Sequence, residues 1–300
     1  MQAKINSTLR YYKDMIIPRV YEPANEEILY HYCVASAFLA ICTNKKIRFS
    51  DLFSMNDFME MHWGYYIWEK AATELLDEVG RDFLDKIDEL IHSSGIYGLL
   101  VASCYSLDGD VLSQWRAYAD DGQGFAIGFN AINLIALPIR PLRVLYNQEE
   151  QIKELKAVIR AIHEVEKSEE TKFGSDFRTA CFMLAFDLAA FKNPAFVEEK
   201  EIRLTHLLDF ERSNNFLRLV DPGGQAFGKK SKGMPVQFRM RDNAPVTFIE
   251  QDFTNKGRIN PIKEVIIGPK NNVLSTAISA FLETVGIGSV NIKHSKASYR

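Results

Sequence analysis

Two long stretches of helical period, Met61 to Ile91 and Gln148 to Ala190, are set among apolar runs of strand length, and that alternation constrains the fold more than any other feature. In the first, Leu75, Leu76, Val79, Phe83, Leu84, Ile87, Leu90 and Ile91 recur at helical spacing and predict one or two amphipathic helices. The second is broken near Lys172-Phe173-Gly174, where one helix ends and another starts. Strands are expected at Ile28 to Cys33, Lys46 to Ser50, Gly98 to Ser106, Gly124 to Phe129, Val144 to Tyr146, Glu264 to Ile267 and Ser289 to Lys293. Ala35 to Thr43, capped at Ser36, and Leu274 to Val285 read as further helices, Ser113 to Tyr118 as a short helix or turn, and Asp221 to Gly233 as loop.

No repeat, low-complexity tract or long Pro/Gly/Ser linker divides the chain. The expected organisation is an N-terminal extension over 1–27 and a single α+β domain over 28–300, with helical insertions at about 61–97 and 147–192. With 300 residues, 47% of them hydrophobic, the chain can bury a large core.

Charge excludes some partners. A formal net charge of -3 gives no whole-chain attraction to nucleic acid or to an anionic membrane, although Lys229-Lys230-Ser231-Lys232 and Arg239-Met240-Arg241 are local basic patches. The segment MQAKINSTLRYYKDM has no apolar signal core, and no run approaches the roughly 20 apolar residues of a membrane helix, so a cytoplasmic protein without a membrane partner is expected. Cys33, Cys42, Cys104 and Cys181 are far apart and form no CxxC pair; buried reduced thiols are expected, and neither zinc nor any other metal.

The usual phosphate-loop, zinc-protease, nucleophile-elbow and dinucleotide fingerprints are absent. Four constellations remain. In Tyr30-His31-Tyr32 a strand puts the tyrosines on one face and His31 on the other, where the imidazole needs a partner, either within the protein or a substrate hydroxyl. Phe53-Ser54-Met55-Asn56-Asp57 with Glu60 reads as a turn and capping box, or as support for a neighbouring site. In Gln114-Trp115-Arg116-Ala117-Tyr118, Trp115 suits the core, while Tyr118 and Asp120 are ligand-contact candidates. In Phe196 to Leu208, Glu199, Glu201 and Arg203 share one face of a strand and Ile202 and Leu204 the other; the charged face is either a wet edge or a carboxylate held in a fixed pose by Arg203.

Taken in order, these pieces resemble a bacterial family catalogued as domain of unknown function 2971. The resemblance rests on Tyr30-His31-Tyr32, Arg48-Phe49-Ser50, Phe53 to Glu60, Cys104-Tyr105-Ser106, Gln114 to Tyr118 with Gly124, Phe196 with Glu199 to Arg203, and a tail with Ser295 and Tyr299-Arg300. Phe58 stands where that family usually has proline, and Gln114 where it has methionine.

More distantly, a strand carrying His, a later aromatic-Ser strand and a final ExE strand resemble the ADP-ribosyltransferase superfamily. That resemblance implies mixed small sheets forming a split β-sandwich or clamp, with the two helical insertions added. It implies NAD as substrate, a nucleotide partner and an unknown macromolecular acceptor, and a role as a bacterial toxin or phage-defence effector. His31, Glu199 and Glu201 would be catalytic, and Tyr32, Ser50, Asn56, Tyr105, Ser106, Tyr118 and Arg203 would bind the cofactor. Within that scheme His31 bonds ribose hydroxyls, Tyr105 or Tyr118 stacks on nicotinamide, Glu201 stabilises the charge that builds on the ribose, Glu199 orients the acceptor, and Arg203 fits only as a pyrophosphate ligand. Two other classes stay open: a metal-dependent hydrolase or nuclease using Asn56, Asp57, Glu60, Glu199 and Glu201, and a non-catalytic nucleotide- or protein-binding module.

Overall fold

The computed structural model describes residues 19–52, 59–213, 216–241, 243–288 and 290–299. Strand β1 (Ile28–Cys33) leads through helix α1 (Ala35–Asn44) into β2 (Lys46–Asp51). Helices α2 (Met59–Val79) and α3 (Arg81–Ser93) precede β3 (Gly98–Ser106), α4 (Leu112–Tyr118), β4 (Phe125–Asn130), α5 (Ala131–Ile135) and β5 (Arg140–Arg143). Then come α6 (Gln148–Ser168), α7 (Ser175–Asp187) and β6 (Glu201–Ser213). The remainder is β7 (Phe216–Val220), β8 (Gly224–Ala226), β9 (Lys229–Ser231), β10 (Gln237–Arg241), β11 (Ala244–Asp252), β12 (Ile262–Ile267), α8 (Ser275–Thr284) and β13 (Asn291–His294).

The protein is α+β, with a mixed, open sheet. In place of the expected small sheets, one sheet of 11 strands runs β10-β11-β2-β3-β1-β4-β12-β13, with β6 beside β3 and bridging to β5 and β7; β8 and β9 form a separate hairpin. Its pairs are antiparallel except β12 with β13.

The sheet forks at β3. One edge of β3 is paired with β6 over its whole length, from Gly98↔Asp209 to Ser106↔Glu201. The other edge meets β2 at Ser50↔Ala102 and Asp51↔Val101, and β1 at Tyr30↔Ser106. Continued in those registers, β1 would set Cys33 opposite Ser103 while β2 would set Lys46 opposite Ser106, so both strands would need the same stretch of edge. They part instead, and α1 spans the opening.

Two cores hold the chain. Phe38 and Ile41 of α1 and Ile278 and Leu282 of α8 pack with Leu29, Phe49, Val101, Phe129, Ile202 and Leu204 on one sheet face. The two helical insertions share a core of their own, with Ile67, Trp68 and Leu75 of α2, Phe83 and Ile87 of α3, Leu155 and Ile159 of α6, and Phe177 and Leu184 of α7. Separate in sequence, they form one helical body, because each amphipathic helix alone would leave an apolar stripe in water. Phe186 and Ala189 dock that body on Leu100, Ala102 and Leu207 of the second sheet face.

Several local expectations are corrected. α1 begins at Ala35 after Val34, with no side-chain cap, so Ser36 lies inside it. The strand expected at Val144 to Tyr146 falls instead at Arg140–Arg143, where β6 offers a partner. The loop expected over Asp221 to Gly233 contains the β8–β9 hairpin. Glu199 lies before β6, in a 3-10 turn over Pro194–Glu199, because Lys200 takes a left-handed conformation (φ 45) that breaks the strand. The Phe53 to Asp57 part of the turn motif, including Asn56, lies outside the described residues.

Candidate functional site

The parting of β1 from β2 leaves a cleft of about 400 Å³, in the range of small-molecule sites. Tyr30, His31 and Tyr32 line one wall, Ala102 to Ser106 of β3 the back, and Lys46, Arg48 and Ser50 of β2 the opposite wall. Gln114, Tyr118, Lys192, Glu199, Glu201 and Arg203 close one end, while Arg239, Arg241 and Glu250 lie at the other side. Most of the expected site residues are therefore brought together: His31, Tyr32, Ser50, Tyr105, Ser106, Tyr118, Glu199, Glu201 and Arg203 all line this cleft. Asp120 does not.

His31 is fixed by its strand. Its Nδ1 lies 3.0 Å from the Cys104 carbonyl, which can only accept, so Nδ1 carries the proton and Nε2 is left as an acceptor. Burial lowers the pKa of the ring, against the smaller opposing effect of the Cys104 bond, and keeps it neutral at pH 7. Tyr105, buried, packs 5.4 Å from the His31 ring and edge-on to Phe129. The flanking tyrosine hydroxyls are used by the fold: Tyr30 donates to Glu264 at 2.8 Å, and Tyr32 donates to the Asp108 carbonyl at 2.9 Å and accepts the Val111 amide. Trp115 is in the core, as expected, its indole N–H held by Asp110 and its ring edge-on to Tyr32.

At the acidic end four charged side chains are buried together. Lys192 follows the turn that ends α7; its Nζ is 2.5 Å from Glu199 Oε2 and 3.2 Å from Glu201 Oε2. Arg203 holds Glu201 with two parallel bonds of 2.8 Å, Nε to Oε1 and Nη2 to Oε2, and donates through Nη1 to the Ala189 carbonyl at 2.5 Å. Tyr118 donates to Glu199 Oε1 at 3.1 Å, Tyr146 accepts the Glu201 amide, and Ser106 donates to the Glu199 carbonyl at 2.7 Å.

Two cations balance two anions, the condition under which buried charges are tolerated. The carboxyl pKa values are nevertheless driven apart. Burial alone would raise that of Glu201, but Arg203 and Lys192 more than reverse this and hold it well below the usual range. For Glu199 burial outweighs Lys192, and its value is raised. Divergent carboxylates of this kind can divide acid and base roles. Arg203, expected to contact the cofactor, is only 1% exposed and grips its own strand and the helical body.

The opposite side is cationic. Register sets Arg239 beside Val246 and Arg241 beside Ala244, and Glu250 beside Arg48, so these side chains share the face that carries Ser50 and Lys46. Arg48 pairs with Glu250 at 2.9 Å and lies over the Phe248 ring. Of these residues the sequence marks only Ser50 as a site candidate, and Arg239-Met240-Arg241 as a basic patch. Lys192, Gln114 and Tyr30 line the cleft although nothing local in the sequence marks them as site residues.

Among the described residues no group of three or more His, Cys, Asp or Glu side chains is arranged to hold a metal ion, and no helix is long and apolar enough to cross a membrane. Asn56 and Asp57 of the metal-dependent alternative, and the side chain of Glu60, lie outside the described residues. None of the four cysteines forms a disulfide; Cys33, Cys42 and Cys181 are buried, and Cys104 lines the cleft.

The fold and site thus define an α+β protein whose forked sheet carries a cleft with an acid–base end and a cationic side. Residues 114–204, from α4 to the charged start of β6, match the model of a family described as a protein of unknown function, DUF2971. The matched span contains Tyr118, Lys192, Glu199, Glu201 and Arg203 and agrees with the resemblance drawn from the ordered motifs. No curated protein and no solved structure matches the chain.

Proposed function

We propose that the cleft binds NAD and that the chain is an ADP-ribosyltransferase-like enzyme, transferring ADP-ribose to an acceptor. The observation that carries this reading is the fork, which lets the neutral His31, set by register on the sheet face opposite to Glu201, line one cleft with Glu199, Glu201 and a cationic wall, its Nε2 left as an acceptor. A dinucleotide has that polarity: a ribosyl-pyridinium whose positive charge passes to the ribose as the C–N bond breaks, and an anionic diphosphate.

In this reading His31 Nε2 accepts a bond from a ribose hydroxyl of the nicotinamide half, and Tyr118 flanks the ring. The glycosidic C–N bond breaks and nicotinamide leaves with its electron pair. The cationic ribosyl centre is stabilised by fixed anionic oxygen, supplied by Glu201, whose charge Arg203 and Lys192 preserve. The acceptor adds to the ribosyl carbon, and its proton passes to Glu199, whose raised pKa suits it for a base. The test is nicotinamide release from NAD by the purified protein with cell extract as acceptor source. Release that disappears in Glu201→Gln and His31→Ala supports the proposal; no release, together with no thermal shift by NAD, ends it.

One observation favours a second reading. Both Glu201 oxygens already accept bonds from Arg203, and one also from Lys192. A carboxylate so occupied serves a binding module as well as an enzyme. NAD that raises the melting temperature without releasing nicotinamide is the outcome that selects this reading.

A further inference from the structure

We infer that Arg48, Arg239 and Arg241, on the β2–β11–β10 side of the cleft, form a phosphate subsite that takes the diphosphate of a nucleotide. The inference rests on the cleft being a nucleotide site, and it replaces Arg203 as the diphosphate ligand with residues from a different part of the chain.

Pairing alone brings the three together. β10 lies on β11 and β11 on β2, so Arg239 and Arg241 share a face with Arg48, and Phe238 and Met240 point the other way. Lys46 adds a fourth cation to the same lining. The acidic groups on this face are already engaged. Glu250 binds Arg48, and Asp252, opposite Lys46, accepts from the Thr254 and Lys256 amides and the Thr254 hydroxyl. Among the described residues no carboxylate lies within ion-pair distance of Arg239.

Partial burial, then the nearby charges of Arg48 and Arg241, lower the pKa of the Arg239 guanidinium. Guanidinium groups present planar forks of donors that match phosphate oxygens, and a diphosphate offers enough oxygens for several forks at once. Ser50, paired with Phe248 of β11 on one side and with Ala102 of β3 on the other, also lines the cleft.

The test is titration calorimetry of the full chain with ADP, adenosine and inorganic pyrophosphate. ADP and pyrophosphate should bind the wild type, and Arg239→Ala should weaken ADP on the order of tenfold, about what one charge-assisted contact supplies, while leaving adenosine unchanged. Arg239 is exposed on an edge strand, so the variant should fold, which its melting temperature will show. Lys230→Ala, which removes an exposed charge from β9 away from the cleft, should change nothing. Equal binding of ADP and adenosine, or equal behaviour of the two variants, overturns the inference. So does a short oligonucleotide that binds in an Arg239-dependent way while ADP does not bind. The outcome is separable from catalysis: Arg239-dependent ADP binding without nicotinamide release keeps the subsite and removes the transferase, whereas NAD cleavage with an unchanged KM in Arg239→Ala does the reverse.

Discussion

Arg203 and Glu201, two residues apart on β6, are joined by two parallel 2.8 Å bonds in a place where each is almost without solvent contact. Removing one partner strands the other charge, so Glu201→Gln or Arg203→Met should each destabilise the protein by roughly 3–5 kcal/mol. The double replacement Glu201→Gln with Arg203→Met should cost less than the sum, because the second change removes the stranded group. Urea unfolding measures all three; strict additivity would show that the pair is not coupled. Activity of Glu201→Gln therefore has to be read on the folded fraction.

The same pair sets an acid limit. The folded-state pKa of Glu201 lies below its ordinary 4.5, so its stabilisation is complete above that value and is lost as pH falls through the depressed one. Wild type should lose stability steeply on acidification below about pH 4.5, and Glu201→Gln, less stable at neutral pH, should show a shallower slope there. Parallel slopes in urea titrations at pH 5 and pH 3.5, to about the precision of the method, would remove Glu201 from the linkage.

His31 gives a second pH signature, in a different window. Its folded pKa is lowered from 6.5, so the unfolded chain takes up the proton first, and stability falls as pH drops below that value. His31→Asn can keep a donor toward the Cys104 carbonyl and removes the titration. Between pH 7.5 and about 5.5 the wild type should therefore lose stability relative to His31→Asn, by at most about 1.4 kcal/mol per pH unit. Identical pH profiles for the two proteins would mean that the ring does not titrate differently on folding.

Much of this architecture was legible locally. β1 and β3 were read with the observed bounds, since each is an unbroken apolar run between turn signals, and the alternation of Glu201, Ile202, Arg203 and Leu204 correctly separated the charged face from the core. What escaped depends on distant partners. β11 and β10 read poorly because Pro245, Asn243 and the arginines suppress a strand signal that pairing with β2 restores. The cationic wall was invisible for the same reason: Arg48 meets Arg239 and Arg241 only through that pairing. Glu199 reads as strand in the sequence because nothing in local alternation announces a left-handed Lys200; Lys192 and Tyr118 nonetheless hold it beside Glu201.

Gly124, noted beside the short segment ending at Tyr118, sits where the turn after α4 passes close to the end of β1. A Cβ there would lie 2.2 Å from the Cys33 carbonyl oxygen and 3.0 Å from the Ala119 backbone. Since those are backbone atoms, Gly124→Ala should cost roughly 1–3 kcal/mol through forced displacement of β1 from the turn. Gly95→Ala, where a Cβ meets nothing within 4 Å, is the matched control and should be close to neutral. Thermal melts of the two variants check this, and equal melting temperatures would show that the turn yields freely.

The division of labour between the two carboxylates can be tested through Tyr118. Its hydroxyl donates to Glu199 Oε1 at 3.1 Å and is one of the influences that lower a pKa which burial has raised. Tyr118→Phe keeps the ring against the cleft and deletes that donor, so the Glu199 value should rise further. If Glu199 takes the acceptor's proton, nicotinamide release should fall about tenfold, as expected for loss of a hydrogen bond to a charged group, and the acidic limb of the pH–rate profile should move to higher pH. ADP binding, which depends on the opposite wall, should be unchanged. A slower enzyme with an unmoved acidic limb would assign Tyr118 to positioning the substrate and would leave the base to another group.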